Sequence, residues 1–430
     1  MKVNDQKIGW LTAMWLVVAC MIGTGVFTSL GFQLMDVKNT YSIIILWVLG
    51  GIFALIGAFT YAELGTHFKE SGGDYIFLSR IFHPFVGYLY AWTSLCVGFS
   101  APIGIAAMAM ISYLEPINPS IFNTWFGIAI IIILTSVHSI SIKRSGQVQD
   151  ITTYIKVAFV IAFIVIGFWV SPSGENAILL DDSWQKELFL PGFAVSLIYV
   201  TYAYTGWNSA AYIIDEIREP IKNLPKALIL GTILVTIIYV LLQLVLLKHA
   251  SVDQLSGQVE VATISFSNLF GDRGVLWIGV FIGIQLIATI SGYLWVGSRI
   301  IYAMAEEHPL WSKLVYKNKL DIPTRALWIQ AVIAIALTLT GTFEQVLLYA
   351  SFVLQLMGTL TIASLLWVKR KSGTFISPGR PYLQMVYILF SVWVLGYMFI
   401  EQPMESLMGL GIVAVGAISY FIRPKPNSSD

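Results

Sequence analysis

Twelve long apolar runs constrain this chain more than any other feature. A membrane-crossing helix needs about 20 apolar residues. Runs of that order lie at about 8–31, 41–64, 85–113, 121–142, 151–171, 189–214, 224–247, 274–304, 325–341, 345–368, 382–400 and 404–422, numbered here as spans 1 to 12. Spans 3 and 8 are long enough to tilt strongly. Charged residues make up 11% of the 430 positions, against about 25% in a soluble protein. So few charges cannot cover a soluble surface. A soluble enzyme, a disordered chain and a nucleic-acid binder are thereby excluded, and the net charge of +1 leaves no basic footprint for nucleic acid. An outer-membrane barrel would alternate polar and apolar residues, which these runs do not. The expected fold class is an all-α polytopic membrane protein with twelve transmembrane helices.

Orientation follows from the loops. Of the 25 Lys and Arg, 20 fall on the side of the termini and of loops 2–3, 4–5, 6–7, 8–9 and 10–11. Lys38, Lys186, Lys248 and Arg273 fall on the other side, and Lys156 lies inside span 5. Cations gather on the cytoplasmic face, so the reading is a multi-pass protein of the cell membrane with both termini cytoplasmic. The first apolar run is too long for a cleaved signal and lacks a small-x-small site. Loop 7–8, about 248–273, is expected to carry a short outer helix, and loop 2–3 to be a turn leading into span 3. The tail from Pro424 to Asp430 reads as a frayed end.

Several chemistries lack their residues. No phosphate-cradling loop of the ATPase type occurs. The five histidines sit near span ends or in loops, and Cys20 and Cys96 lie inside apolar runs, so neither a metal, a cofactor nor a disulfide is expected. No pair of carboxylates lies in mid-membrane for acid–base work. A carrier is favoured, with a channel as the rival from another class.

Two spans contain polar or small residues that suit a break. Span 1 places Gly23 and Gly25 on either side of Thr24. Non-helical backbone in a membrane is tolerated only where it lines a cavity. Unwinding there would point amide groups of a half-helix at an anion such as a carboxylate. Small residues serve equally for a close helix crossing, and spacing alone does not choose between the two. Span 6 holds Thr205, Gly206, Trp207 and Asn208 together. Carbonyls freed there would suit an ammonium group, whereas the alternative is polar glue between helices. Breaks at matching places in two halves are the best sequence pointer to a transporter site. Lys156, about six residues into span 5, is either a functional cation or a lysine snorkelling roughly 9 Å to the interface.

These segments, Met21-Ile22-Gly23-Thr24-Gly25-Val26-Phe27, Lys69-Glu70-Ser71-Gly72-Gly73-Asp74-Tyr75, Ala203-Tyr204-Thr205-Gly206-Trp207-Asn208, Asp215-Glu216-Ile217-Arg218-Glu219-Pro220 and Gly297-Ser298-Arg299-Ile300-Ile301-Tyr302, together resemble the amino acid–polyamine–organocation transporters. The resemblance is greatest to bacterial relatives of the L-type amino acid transporter branch. It implies a LeuT-type 5+5 inverted repeat plus two helices: a first five-helix repeat in 1–171, a second in 189–368 and two peripheral helices in 382–422. It implies that a substrate carboxylate meets the backbone N–H groups of Gly23, Thr24 and Gly25. The ammonium would meet carbonyls of Ile22, Tyr202, Ala203 and Thr205. Tyr202 would cover the substrate, and Asn208 would lie near it. Lys156 would replace a sodium ion, bridging carbonyls near Ala19 and Ile22 to span 8 at Ser291. Aligning span 3 adds Ser100, Gly104 and Met108 to the pocket. Thr205 stands where glycine is common, which narrows the pocket, and Glu307-His308-Pro309-Leu310 departs from the family pattern.

The function expected is sodium-independent transport of neutral L-amino acids by alternating access, as exchanger or proton-coupled symporter, with spans 1, 2, 6 and 7 rocking. Beyond the neutral amino acid as small-molecule substrate, the partners expected are the lipid bilayer and, in the symport case, protons. A carrier of the same fold for an organic cation or a nucleobase remains the alternative.

Overall fold

The computed structural model describes residues 7–140, 143–171, 183–320 and 322–422. Lys2, Arg423, Lys425 and the expected frayed tail lie outside them, as do the side chains of Lys143 and Arg144.

The described chain is helical along its apolar runs, apart from breaks inside spans 1 and 6. Seven helices are long and apolar enough to cross a membrane: Thr40–Phe68, Pro84–Leu114, Pro220–His249, Arg273–Glu307, Phe343–Trp367, Tyr382–Glu401 and Pro403–Phe421. Span 1 is an eighth crossing if its two pieces, Trp10–Met21 and Gly25–Asp36, count as one; they meet at a bend of 41°. Spans 4, 5 and 9 are Thr124–Ile140, Lys143–Trp169 and Thr324–Thr340. Span 6 starts as Pro191–Ala203. Thirteen residues reach only about 20 Å, less than the hydrocarbon thickness of about 30 Å. The irregular stretch that follows must complete that crossing.

Packing divides the helices. Span 7 lies along spans 1 and 2, while span 3 lies along spans 8 and 9. The second half of span 1 packs on the first half of span 6. Gly51 makes the span 2–7 contact possible, since a Cβ there would sit 2.3 Å from the Thr236 side chain. Spans 11 and 12 turn apolar side chains such as Leu389, Ile400 and Ile418 outward.

Loop 7–8 carries the expected helix in two pieces, Val252–Leu255 and Val261–Phe270. Gly257 donates its N–H to the Gly31 carbonyl at 2.8 Å, fastening this loop to span 1. Loop 2–3 differs from the simple turn expected. Gly73, at φ +55°, turns the chain into an eight-residue helix, Asp74–Ile81, before span 3 starts. Span 5 also departs from its expected start. Its helix begins at Lys143, so Lys156 lies 13 residues from its end, or roughly 20 Å.

One buried ion pair fastens loop 10–11 to span 2. Arg380 pairs with Glu63 while both side chains are under one-tenth exposed. The Arg380 guanidinium also donates to the Leu365 carbonyl at 2.6 Å, and Glu63 accepts the Ser377 N–H at 2.8 Å. Removing one partner strands the other charge in a medium that cannot hydrate it. Glu63→Gln is therefore expected to lower the melting temperature in detergent by about 5 °C or more. A melting temperature equal to wild type would show that the pair holds nothing together.

Candidate functional site

The two broken spans cross at their breaks. In span 1 the helix stops at Met21 and resumes at Gly25. In span 6 it stops at Ala203, and a short tighter helix, Ser209–Glu216, follows. The two glycines of span 1 do different things. Gly25 is a crossing point: a Cβ there would lie 2.6 Å from Ala203 Cα. Gly23 has open space beside it, with nothing nearer than 3.9 Å, and it lines a cavity of about 560 Å³. Close approach and an opened backbone are thus both present, one at each glycine.

Gly206 makes the second crossing. Its φ of +105° is a conformation open to glycine and strained for other residues. A Cβ there would stand 2.7 Å from the carbonyl of Cys20.

The breaks leave backbone groups available. Among the described residues, the amides of Gly23, Thr24 and Gly25 donate to no acceptor. The carbonyls on the other side are mostly engaged. Ile22 accepts from Lys156 Nζ at 2.7 Å. Tyr202 accepts from the N–H of Thr205 at 3.0 Å and from its hydroxyl at 2.7 Å. Ala203 accepts from Tyr239 Oη at 3.0 Å. The Thr205 carbonyl accepts no hydrogen bond among the described residues. A carbonyl has two lone pairs, so the engaged ones keep some capacity.

Lys156 is 3% exposed and crosses from span 5 to the break of span 1. Ala19 and Cys20 line the same cavity beside it. Tyr202 and Thr205 line the cavity, as does Asn208, whose amide lies 3.4 Å from Asp74 Oδ2.

Four expected positions are corrected. Ser291 turns to span 4, where its hydroxyl meets His138 Nε2 at 2.8 Å, so it does not bridge to Lys156. Ser100 is fully buried and donates to the Leu95 carbonyl at 2.6 Å. Gly104 faces span 9, where a Cβ would come within 3.2 Å of the Ala334 carbonyl. Met108 packs partly buried against the main core. The cavity wall from span 3 is instead Tyr90, Ser94, Gly98, Phe99 and Pro102. The two ladders differ by two residues, roughly 200° around a helix. Within this wall Ser94–Phe99 winds as a π-helix.

Four residues absent from the expected set complete the site. Tyr239 of span 7 donates to the Met21 carbonyl at 2.6 Å and lies 3.0 Å from that of Ala203. It thus ties together the last carbonyls before both breaks. Tyr61 of span 2 and Tyr212 beyond the span 6 break both donate to Asp74, which lines the cavity at 1% exposure. Away from the breaks, the cavity reaches the exposed residues Glu216 and Arg299 on the face of loops 6–7 and 8–9. Toward loop 7–8, Phe32 stacks on Tyr199 and Phe343 with ring centres 5.6 and 5.7 Å apart.

The chain is similar to known proteins along most of its length. The family model described as amino acid permease matches residues 8–418. A b(0,+)-type amino acid transporter 1 from Mus musculus is 28% identical over 97% of this chain and 88% of its own length. Large neutral amino acids transporter small subunit 2 from Mus musculus is 28% identical over 97% of this chain and 81% of its own. Asc-type amino acid transporter 1 from Mus musculus is 27% identical over 98% and 82%.

Proposed function

The chain belongs to the amino acid permease family, and from that membership we propose that it exchanges neutral L-amino acids across the cell membrane without sodium. The observation that carries this reading is the pairing of two breaks around one cavity. Among the described residues, a free amide stands at Gly23 and a free carbonyl at Thr205, both on the cavity wall, with the free amide of Thr24 next in the chain. Desolvating a zwitterion is expensive unless both charged ends find partners. Backbone donors at the start of a half-helix suit the carboxylate. The Thr205 carbonyl, with the remaining capacity of Ile22, Tyr202 and Ala203, suits the ammonium. Asn208 and Tyr202 then border the side chain.

Sodium independence is read from Lys156. Its ammonium occupies the carbonyl end of the first half of span 1, where a bound cation would otherwise neutralise the helix end. Alternating access is read from the packing of spans 1, 2 and 7 and from the hinge-like breaks of spans 1 and 6. We read residues 1–171 and 189–368 as the two inverted repeats, 382–422 as peripheral helices, and both termini as cytoplasmic. The cavity then opens toward the cytoplasm. This is carrier work, with no bond made or broken, and the family and its relatives are transporters rather than enzymes.

The test is binding to the purified protein in sodium-free buffer, followed by calorimetry. A neutral L-amino acid should bind, and its methyl ester and its N-acetyl derivative should each bind about tenfold to a hundredfold more weakly. Equal binding of the ester would overturn the assignment of the carboxylate to the span 1 amides.

Tyr239 gives a second check. Tyr239→Phe keeps the ring packed on Trp47 and Tyr204 but removes the hydroxyl that joins the two breaks. The exchange rate should fall by about tenfold, with the melting temperature unchanged within a few degrees. A wild-type rate would show that the two breaks hold their geometry without it.

A further inference from the structure

We propose that Asp74 binds a proton in the transport cycle, with Tyr212 setting its affinity; this rests on reading the cavity as a transport path. Asp74 stands at the start of the helix after loop 2–3 and lines the cavity wall. Its carboxylate is 1% exposed, and among the described residues no ion pair includes it. Of the other charges of its own loop, Lys69, Glu70 and Arg80, the last two pair with each other at 3.2 Å.

The described groups that face the carboxylate are uncharged at neutral pH. Tyr61 of span 2 donates to Oδ1. Beyond the span 6 break, Tyr212 donates to Oδ2 at 2.5 Å and Asn208 approaches it at 3.4 Å. Tyr90 of span 3 meets Tyr212 hydroxyl to hydroxyl at 2.5 Å. Thr361 of span 10 also faces it. Burial pushes the Asp74 carboxyl above the usual carboxylate range, and the phenols that donate to it pull it partly back.

The hydroxyl chain serves both protonation states without moving a ring. With Asp74 ionised, Tyr90 donates to Tyr212 and Tyr212 donates to Oδ2. A proton taken from cavity water onto Oδ2 reverses the chain. Asp74 then donates to Tyr212, which turns its own hydrogen to Tyr90. Releasing that proton to water restores the first arrangement, so protons balance in each direction.

The segment beyond the span 6 break supplies the control. Tyr212 and Asn208 sit on it, and it is held to loop 2–3 by three further bonds. The Gly72 N–H donates to the Tyr212 carbonyl at 3.2 Å, Ser71 N–H to Asp215 Oδ2 at 3.2 Å, and Asp215 N–H to Ser71 Oγ at 3.1 Å. A movement that draws this segment off takes Tyr212 and Asn208 from the carboxylate and leaves it the donors carried by other elements, Tyr61, Tyr90 and Thr361. Losing donors to the ionised form raises proton affinity. Proton binding is thereby linked to the position of the part expected to move.

The experiment is a difference-infrared titration of the full chain in lipid vesicles, from about pH 4 to pH 9. Wild type should show a protonated carboxyl band with a midpoint above the usual aspartate value. The band should be missing in Asp74→Asn. Tyr212→Phe, which removes one donor to the ionised form, should move the midpoint up by about one to two pH units. The same band in Asp74→Asn, or an unmoved midpoint in Tyr212→Phe, would overturn the site. This readout needs no transported substrate. If the band behaves as expected while wild-type vesicles exchange no amino acid, the carrier reading fails, and the proton's place in a transport cycle fails with it.

Discussion

Replacing Lys156 by alanine or methionine is expected to reduce amino acid exchange by about a hundredfold or more, while the protein still folds and melts within a few degrees of wild type. The reasoning starts from one contact. The Lys156 ammonium reaches from span 5 to the Ile22 carbonyl at 2.7 Å. Ile22 caps the end of the first half of span 1, and the carbonyl end of a helix carries partial negative charge. A cation there offsets that charge and fixes where the chain bends. Without it, the amides of Gly23, Thr24 and Gly25 lose their anchor relative to the cavity. A displacement of about 1 Å is enough to cost this much in a positioned site. Methionine keeps the length of the side chain and drops the charge, so it separates the ammonium from its packing. Exchange at the wild-type rate by Lys156→Met would remove Lys156 from the account.

Gly206→Ala should be nearly as damaging, with exchange again down by about a hundredfold. Two penalties coincide at this residue. Its φ of +105° strains any residue with a Cβ, at about 1–3 kcal/mol. The added carbon would also stand 2.7 Å from the Cys20 carbonyl, a backbone atom that cannot swing aside. Relief requires spans 1 and 6 to separate at the level where the substrate is expected. Gly396→Ala is the matched control, because nothing lies within 4 Å of the Cβ it adds. Initial rates of exchange for the two variants, measured in parallel, check this. Equal rates would mean that the span 6 break tolerates a side chain.

The apolar runs were readable because a span is written in about 20 consecutive residues. Both breaks were readable for a related reason: Gly23, Gly25 and Gly206 are conspicuous inside such runs. Lys156 stood out as a lone cation in hydrocarbon. The face of span 3 was not readable. Ser94–Phe99 winds as a π-helix, and nothing in its composition announces the extra residue. Ser100, Gly104 and Met108 lie off the face of span 3 that lines the cavity. Ser291 was lost because the rotation of span 8 about its axis is set by what it packs on, here His138. Tyr239 was hidden because a tyrosine inside an apolar span looks like ordinary core. Asp74 sat in plain view in a loop motif. Only the positive φ of Gly73 and the turn that follows bring it to the cavity wall.

The most direct test is counterflow in sodium-free proteoliposomes. Labelled neutral L-amino acid is offered outside, with unlabelled amino acid inside or with empty vesicles. The account predicts uptake that depends on the internal amino acid, is indifferent to added sodium, and is absent in Lys156→Met. Uptake that requires sodium, or no uptake of any neutral amino acid in loaded vesicles, would contradict it.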